Sequence, residues 1–266
     1  MKQLKLMVLT LTLLMGTMFT SCMDSGESGP QQWAGVVKVN DRMGYVTFTD
    51  AAGTELIPTN TIPVTLNARM AYIYCQVDEG QDLSTNPKSI KITLLADPTG
   101  IDATAITTPK VESSDVTTNA PVGSLSFASG YSTVAPFQFS ENTIVLPVLY
   151  RVKNVTTTED IKNELAKHTF TLVRYTDDIK SGDTILKLYL RYKVEDEPAA
   201  IAERATRTSS FKAYEISQIL REYTLKSGQA KPAKITIVAQ QNEYNNKLED
   251  TSTIEKVYEI EYKTAE

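Results

Sequence analysis

The chain has 266 residues, with 27 Lys and Arg against 32 Asp and Glu, a net charge of −5. Without its first 21 residues, which hold two lysines and no acid, the charge becomes −7 over 245 residues. That balance excludes a broad nucleic-acid footprint, which needs cations to displace counterions from phosphates, and the length suits two modest domains better than one small sandwich.

Lys2 and Lys5 precede an apolar run from Leu6 to Phe19, the small pair Thr20-Ser21, and then Cys22. Charge, a short apolar run and small residues, in that order, make a secretory signal peptide over residues 1–21. The run has 14 residues, short of the about 20 that cross a bilayer as a helix. A cysteine at the cleavage point resembles a bacterial lipobox, although Phe19 stands where the common pattern has Leu. The resemblance implies acylation of Cys22, membrane attachment through it, and residence in the cell envelope at the outer membrane, on the periplasmic face or the cell surface. Asp24 and Glu27, just behind, resemble an acidic surface-export signal. Residues 22–32 are rich in Gly, Ser, Pro and Gln and read as a flexible tether. With Cys22 acylated, Cys75 is the sole remaining thiol and forms no internal disulfide. Alternation in Ala71–Val77 places it among strand residues as a small buried hydrophobe.

From Trp33 the chain reads as short strands: Trp33–Val39, Gly44–Thr49, Glu55–Ile57 stopped by Pro58, Arg69–Asp78, and Ile90–Leu95. Five short strands predict a small five-stranded barrel of the OB type over residues 33–110, with a small sandwich as the competing arrangement. Asp97–Asn142 is crowded with Thr, Ser, Ala and Pro, with one short strand expected in Val122–Tyr131. At 46 residues this segment is too long for an ordinary connection and reads as a linker, a functional loop or a weakly patterned part of a domain, with residues 111–135 taken as the linker or loop region.

Strand patterns return at Ile144–Val152, where Pro147 predicts an edge or a bulge. Ile161 and Leu165, four apart in Thr158–Lys167, predict a short helix. Strands follow at His168–Thr176, Thr184–Glu195 and Phe211–Ile216. A helix over Gln218–Lys226 is expected next, with Ser217 as N-cap and Gly228 beyond its end. Lys234–Gln241 and Ile254–Lys263 complete the set. Residues 136–266 therefore predict a β-sandwich with short helical insertions, and the whole chain an all-β protein.

Chemistry is sparse. The chain has one histidine, His168. Triads and metal sites need partners for it, and no HExxH, GxSxG, CxxC or glycine-rich phosphate loop accompanies it. A structural His168 on one strand face with Phe170 and Leu172, an enzyme-free reading, and no cofactor or metal are the expectations. Acidic clusters at Asp78-Glu79 with Asp82, Asp177-Asp178 with Asp183, and Glu195-Asp196-Glu197 fall at strand ends and lack the spacing of a calcium loop, so they read as solvated turns. In Thr184–Glu195 one face is Leu186, Leu188, Leu190, Tyr192 and Val194. The other carries Lys187, Tyr189, Arg191 and Lys193, a basic stripe around a tyrosine suited to an acidic partner or a sugar. Glu255, Glu259 and Glu261 form the opposite stripe on the last strand, and direct cross-strand pairing of the two is the competing structural reading. Tyr45, Tyr72 and Tyr74 are stacking candidates on the barrel, and Trp33 a glycan platform beside the tether.

The order of lipobox, tether, OB-like segment and β-domain resembles the NigD-like lipoproteins of Bacteroidetes-type bacteria. The strand Ala166-Lys167-His168-Thr169-Phe170-Thr171-Leu172-Val173 matches that family's KH-x-[FIV]-x-LV pattern. Leu186-Lys187-Leu188-Tyr189-Leu190-Arg191 matches its L-x-L-x-L-R strand. After Arg191 the chain departs, with Tyr192-Lys193-Val194-Glu195 in place of a polar turn. The resemblance implies an OB domain followed by a sandwich, a bacteriocin-immunity-like or accessory role, and no catalytic residues. A lipid-anchored protein binding an envelope protein or glycan, and no nucleic acid, is the expected function. Surface glycan capture and an anchor subunit of a surface assembly are the alternatives.

Overall fold

A computed structural model describes residues 31–42, 44–60, 66–81, 83, 87–106, 117–129, 132–175 and 177–264. Cys22, the signal segment and nearly all of the tether lie outside the described residues, as does Asp82. The chain divides into two units, Met1–Ala103 with Ala128–Val134, and Thr104–Phe127 with Ala135–Glu266.

The first unit is a barrel of β1 (Gln32–Arg42), β2 (Tyr45–Thr49), β3 (Glu55–Pro58), β4 (Met70–Val77) and β5 (Ser89–Leu94), with β6 (Thr99–Ile101) added beside β4. The order β1-β2-β3-β5-β4 closes through a β1–β4 pairing. β3 and β5 run parallel, whereas the other barrel pairs are antiparallel. This is the expected OB-type closure, which leaves no unpaired edge among the five strands. β1 serves two partners: Gln32–Lys38 pair with β4 and Lys38–Arg42 with β2, so Lys38 marks the handover. Trp33, Val37, Phe48, Ala71, Ile73, Cys75 and Ile92 fill the core. Trp33 is thus a core residue and not a surface platform. Cys75 is buried as expected, and burial pushes its thiol up to about 12. Tyr72 and Tyr74 alternate with these core residues on β4 and face outward.

β7 (Ala103–Ala105) already belongs to the second unit's sheets, and β8 (Phe127–Ser129) pairs with β9 (Ser132–Val134) as a two-stranded ribbon. Two four-stranded sheets build the sandwich. One has the order β10-β11-β14-β7, where β10 is Phe137–Ser140, β11 is Thr143–Val152 and β14 is Thr206–Glu215. The other has the order β12-β13-β15-β16, where β12 is His168–Val173, β13 is Ile185–Val194, β15 is Lys234–Gln241 and β16 is Ile254–Glu261. The inner faces of both sheets meet in one apolar core that includes Leu146, Val148, Leu172, Leu188, Leu190, Ile235 and Ile237.

Several expectations need correction. The linker placed at residues 111–135 does not hold for its described part. Ala120, Val122 and Leu125 are fully buried in the sandwich core. Val122 bridges Gln241, and Gly123 and Ser124 bond to Leu149. Three apolar residues in a Ser/Thr/Pro-rich stretch are enough to stitch it into the sheets. Pro147 does not mark an edge strand, because β11 pairs along its whole length with β14. On its other side the β10 ladder ends at Val145, and the Leu149 N–H donates to Ser124. Alternation aims position 147 at the gap between those two pairings, where a missing N–H costs nothing. Ser217 is the first helical residue of α3 (Ser217–Ser227) and not its cap; Ile216 is the cap, and the Glu215 carboxylate accepts the Ser217 N–H at 3.3 Å. Gly228, at φ +75°, ends that helix in the left-handed conformation glycine allows.

Candidate functional site

β13 supplies two arrangements, one on each face. Alternation sends Leu186, Leu188, Leu190, Tyr192 and Val194 inward and leaves Lys187 and Lys193 exposed, with Tyr189 and Arg191 half-buried between them. This is the basic stripe expected from the sequence, and contacts join Lys187, Tyr189 and Arg191 within it. Lys187 Nζ lies 4.9 Å from the Tyr189 ring centre, and Arg191 Cζ lies 5.2 Å from the same ring and 5.7 Å from that of Tyr175. The two rings are 5.1 Å apart. Arg191 Nε and Nη2 donate to the Tyr175 hydroxyl at 3.2 and 2.9 Å. Across the sheet Tyr189 is paired with Val173 on β12 and Val238 on β15. Both valines are on the outer face, yet they are only 0% and 1% exposed. Cations within about 6 Å of a ring face gain about 0.5–1 kcal/mol at exposed sites, so this row is held in place rather than splayed into water. The stripe does not pair directly with Glu255, Glu259 and Glu261. β15 lies between β13 and β16, and Glu259 and Glu261 bind Lys234 at 2.9 and 3.1 Å instead.

The inner face holds the histidine. α1 (Thr158–Ala166) is capped by Thr157, whose hydroxyl accepts the Asp160 N–H. The two apolar residues that predict this helix, Ile161 and Leu165, are 42% and 43% exposed, and its buried residue is Glu164. Glu164 sits four residues before His168, and its Oε1 accepts from His168 Nε2 at 3.3 Å. That leaves Nδ1 to accept from the Tyr192 hydroxyl at 2.6 Å, with the neutral imidazole bridging phenol and carboxylate. Glu164 also accepts from Arg204 Nε at 2.7 Å, Arg204 Nη2 at 3.2 Å and the Lys153 backbone N–H at 2.9 Å. Arg204 follows α2 (Pro198–Ala202), a five-residue helix with proline in its first turn. Its Nη2 reaches Asp196 at 3.1 Å, where Lys153 and Lys167 converge at 3.2 and 3.1 Å. Asp196 is therefore a salt-bridged junction and not a solvated turn residue.

Electrostatics follow this geometry. Burial dominates at His168 and holds it below its ordinary range, against the opposing pull of Glu164. Burial pushes Glu164 up, but donors from Lys153, Arg204 and His168 outweigh it and hold the carboxyl below its usual range. Lys167, Arg204 and Lys153 together hold Asp196 low. Burial raises the Tyr192 phenol, which keeps it a donor. Tyr192 stacks on Phe170 at 4.5 Å and on the His168 ring at 5.8 Å, and Tyr150 packs edgewise nearby. Among the described residues no three His, Cys, Asp or Glu side chains are placed to hold a metal ion.

A second polar construction lies in the loop between β15 and β16. Arg151, buried on β11, donates through Nη1 to the carbonyls of Asn242 and Asn245 at 3.1 and 3.2 Å, and through Nη2 to that of Glu243. Arg207 donates to the Glu243 carbonyl at 2.7 Å. The Asn242 side chain accepts the N–H groups of Tyr244 and Asn245 and donates to Asn245 Oδ1 and Thr253 Oγ1. Tyr244 projects from this braced loop, 78% exposed. The run Gln240-Gln241-Asn242-Glu243-Tyr244-Asn245-Asn246 is its one sequence signal, and it gives no hint of the arginine 91 residues earlier.

The sequence matches no protein-family profile and no curated protein. Among solved structures, it is similar to a "putative lipoprotein" from Bacteroides fragilis NCTC 9343, at 94% identity and a TM-score of 0.81 over 89% of this chain and 100% of that one. A DUF1344 protein of unknown function from Bacteroides vulgatus shares 12% identity and a TM-score of 0.55 over 87% of this chain and 91% of that one, a likeness of fold alone.

Proposed function

Because the chain belongs to one family with the crystallised Bacteroides fragilis lipoprotein, we propose that it is a lipid-anchored cell-envelope protein that binds a partner and catalyses nothing. Acylated Cys22 is the anchor, and the outer membrane is the compartment. The observation that carries the binding role is the Lys187–Tyr189–Arg191–Tyr175 row on an outer sheet face. The non-catalytic reading is supported by His168, whose ring nitrogens are both engaged inside the core. A barrel followed by a sandwich suits the NigD-like resemblance and its bacteriocin-immunity-like or accessory role. The Tyr175 and Tyr189 rings favour a second reading, surface glycan binding, within the same site.

Cys22→Ala tests the anchor. A single acyl chain anchors marginally, whereas several hold firmly. The variant is expected to lose lipid label and to leave the membrane fraction on alkaline wash; retention there overturns the reading. Turnover of an envelope substrate that a single Asp or Glu substitution abolishes would overturn the non-catalytic part.

A further inference from the structure

We infer that the outer face of β1, β2 and β3 on the barrel is a binding site for a short neutral oligosaccharide. The site belongs to the first unit and does not depend on the β13 row. Val37, Phe48 and Leu56 fill the barrel core. Alternation therefore sends Lys38, Asn40 and Arg42 outward on β1, Tyr45, Thr47 and Thr49 on β2, and Glu55 on β3. Lys38, Thr49 and Glu55 stand in one cross-strand row, Asn40 and Thr47 in the next, and Arg42 and Tyr45 in the third. Alternate residues stand about 7 Å apart and neighbouring strands about 4.8 Å, so the face measures about 14 by 10 Å. That suits a few sugar rings and falls far short of the about 800 Å² that each partner gives to a stable protein interface.

The centre of the face is already fixed. Thr47 is only 2% exposed although it points away from the core. Its hydroxyl donates to Glu55 Oε1 at 2.9 Å. Asn40 Nδ2 donates to Thr49 Oγ1 at 2.8 Å and to Thr47 Oγ1 at 3.4 Å. These bonds hold the Asn40 amide by its nitrogen and the Glu55 carboxylate by one oxygen, and the other oxygen of each is an acceptor. Side chains held in this way lose little freedom on binding. A sugar hydroxyl both donates and accepts, as a serine hydroxyl does. Asn40 lies between the exposed donors Lys38 and Arg42 on β1, and Glu55 closes the row that Lys38 opens. Tyr45, 57% exposed, adds a ring for the C–H face of a sugar.

Charge selects a neutral ligand. Lys38 and Arg42 are balanced by Glu55 and by Asp41, which is exposed near the end of β1. A phosphate or uronate chain laid on this face meets carboxylates among the cations, which offsets its gain from counterion release. A neutral polyol meets donors and acceptors together and brings no charge to be left uncompensated.

Titration calorimetry on the full-length protein, in a polyoxyethylene detergent that carries no sugar, tests this. The probes are short gluco-, manno-, galacto- and xylo-oligosaccharides, with oligogalacturonates as the anionic arm. At least one neutral set is expected to bind at millimolar concentration or below, with little dependence on salt. Tyr45→Ala with Asn40→Ala should weaken that binding about tenfold or more, while Lys187→Gln leaves it unchanged. Unchanged binding by the double variant, with an unchanged melting curve, overturns the site. If the double variant fails to fold, Tyr45→Ala alone, at an exposed position, decides. Equal or tighter binding of oligogalacturonates overturns the neutral class. No binding by any neutral set overturns the proposal and leaves the β13 row standing. Loss of oligosaccharide binding in Lys187→Gln but not in Tyr45→Ala moves the sugar to the β13 row and removes it from the barrel.

Discussion

The two faces of β13 carry similar chemistry to opposite ends. Inward, Tyr192 meets His168, Glu164 and Arg204 in a network whose every member is buried. Outward, one residue away, Arg191 meets Tyr175 and Tyr189 within reach of water. The inner cation is matched by carboxylates and hydrogen bonds because low-dielectric surroundings make an unpaired charge costly. The outer cations Lys187 and Arg191 rest against the Tyr189 ring. The lesson is that a fully buried arginine is held by matched acids and hydrogen bonds, whereas a half-buried one on the next residue of the same strand packs against aromatic rings.

The comparison is broken most directly from the inside. Arg204→Ala strands Glu164 and should destabilise the protein by about 3–5 kcal/mol in urea unfolding, the range for removing one partner of a buried ion pair. A loss under about 1 kcal/mol would mean that the inner network is as dispensable as the outer row.

His168→Gln should cost less, about 1–3 kcal/mol, since it leaves the Tyr192 hydroxyl or the Glu164 carboxylate one partner short. It also carries a pH signature. With His168 held below its ordinary value of 6.5 in the fold, the unfolded chain takes up the proton first on acidification. Stability therefore falls as pH drops below about 6.5 and continues until the folded imidazole protonates. Glu164 and Asp196, also held low, add to the loss once pH falls through the ordinary carboxylate range near 4. Melting temperatures from pH 8 to pH 5 should decline in the native protein and decline less in the variant. Parallel curves would remove the imidazole from the account.

The smallest effect belongs to the outer face. Lys187→Gln should change stability by no more than about 0.5 kcal/mol, as surface substitutions do. A loss above about 2 kcal/mol would make the row structural, and the distinction between the faces would collapse.

The outer row was legible in the sequence because strand alternation has a period of two, and Leu186 to Val194 keep it without interruption. The closed barrel was legible for the same reason, through five short patterned runs. The inner network was not. Its helix is signalled by Ile161 and Leu165, which are exposed, while the residue that matters is an acid facing the core. Glu164 stands four before His168, a spacing that could have suggested the pair. Arg204 lies 40 residues from Glu164, and only the fold brings them together. The basic stripe does not pair with the last strand because β15, which joins β13 in parallel, lies between them. A parallel neighbour arrives through a crossover, here containing α2, β14 and α3, and adjacency across a crossover leaves no periodic trace.

Arg151 carries a consequence of its own. Three loop carbonyls converging on one positive centre is the geometry that extracellular proteins often assign to a dissolved calcium ion. A bound ion stabilises in proportion to the logarithm of its free concentration. A guanidinium that is part of the chain has no such dependence on a dissolved ion, although burial and the neighbouring Arg207 lower its pKa. The loop presenting Tyr244 is thus expected to keep its shape when chelator is added. Its order comes from a cation built into the chain.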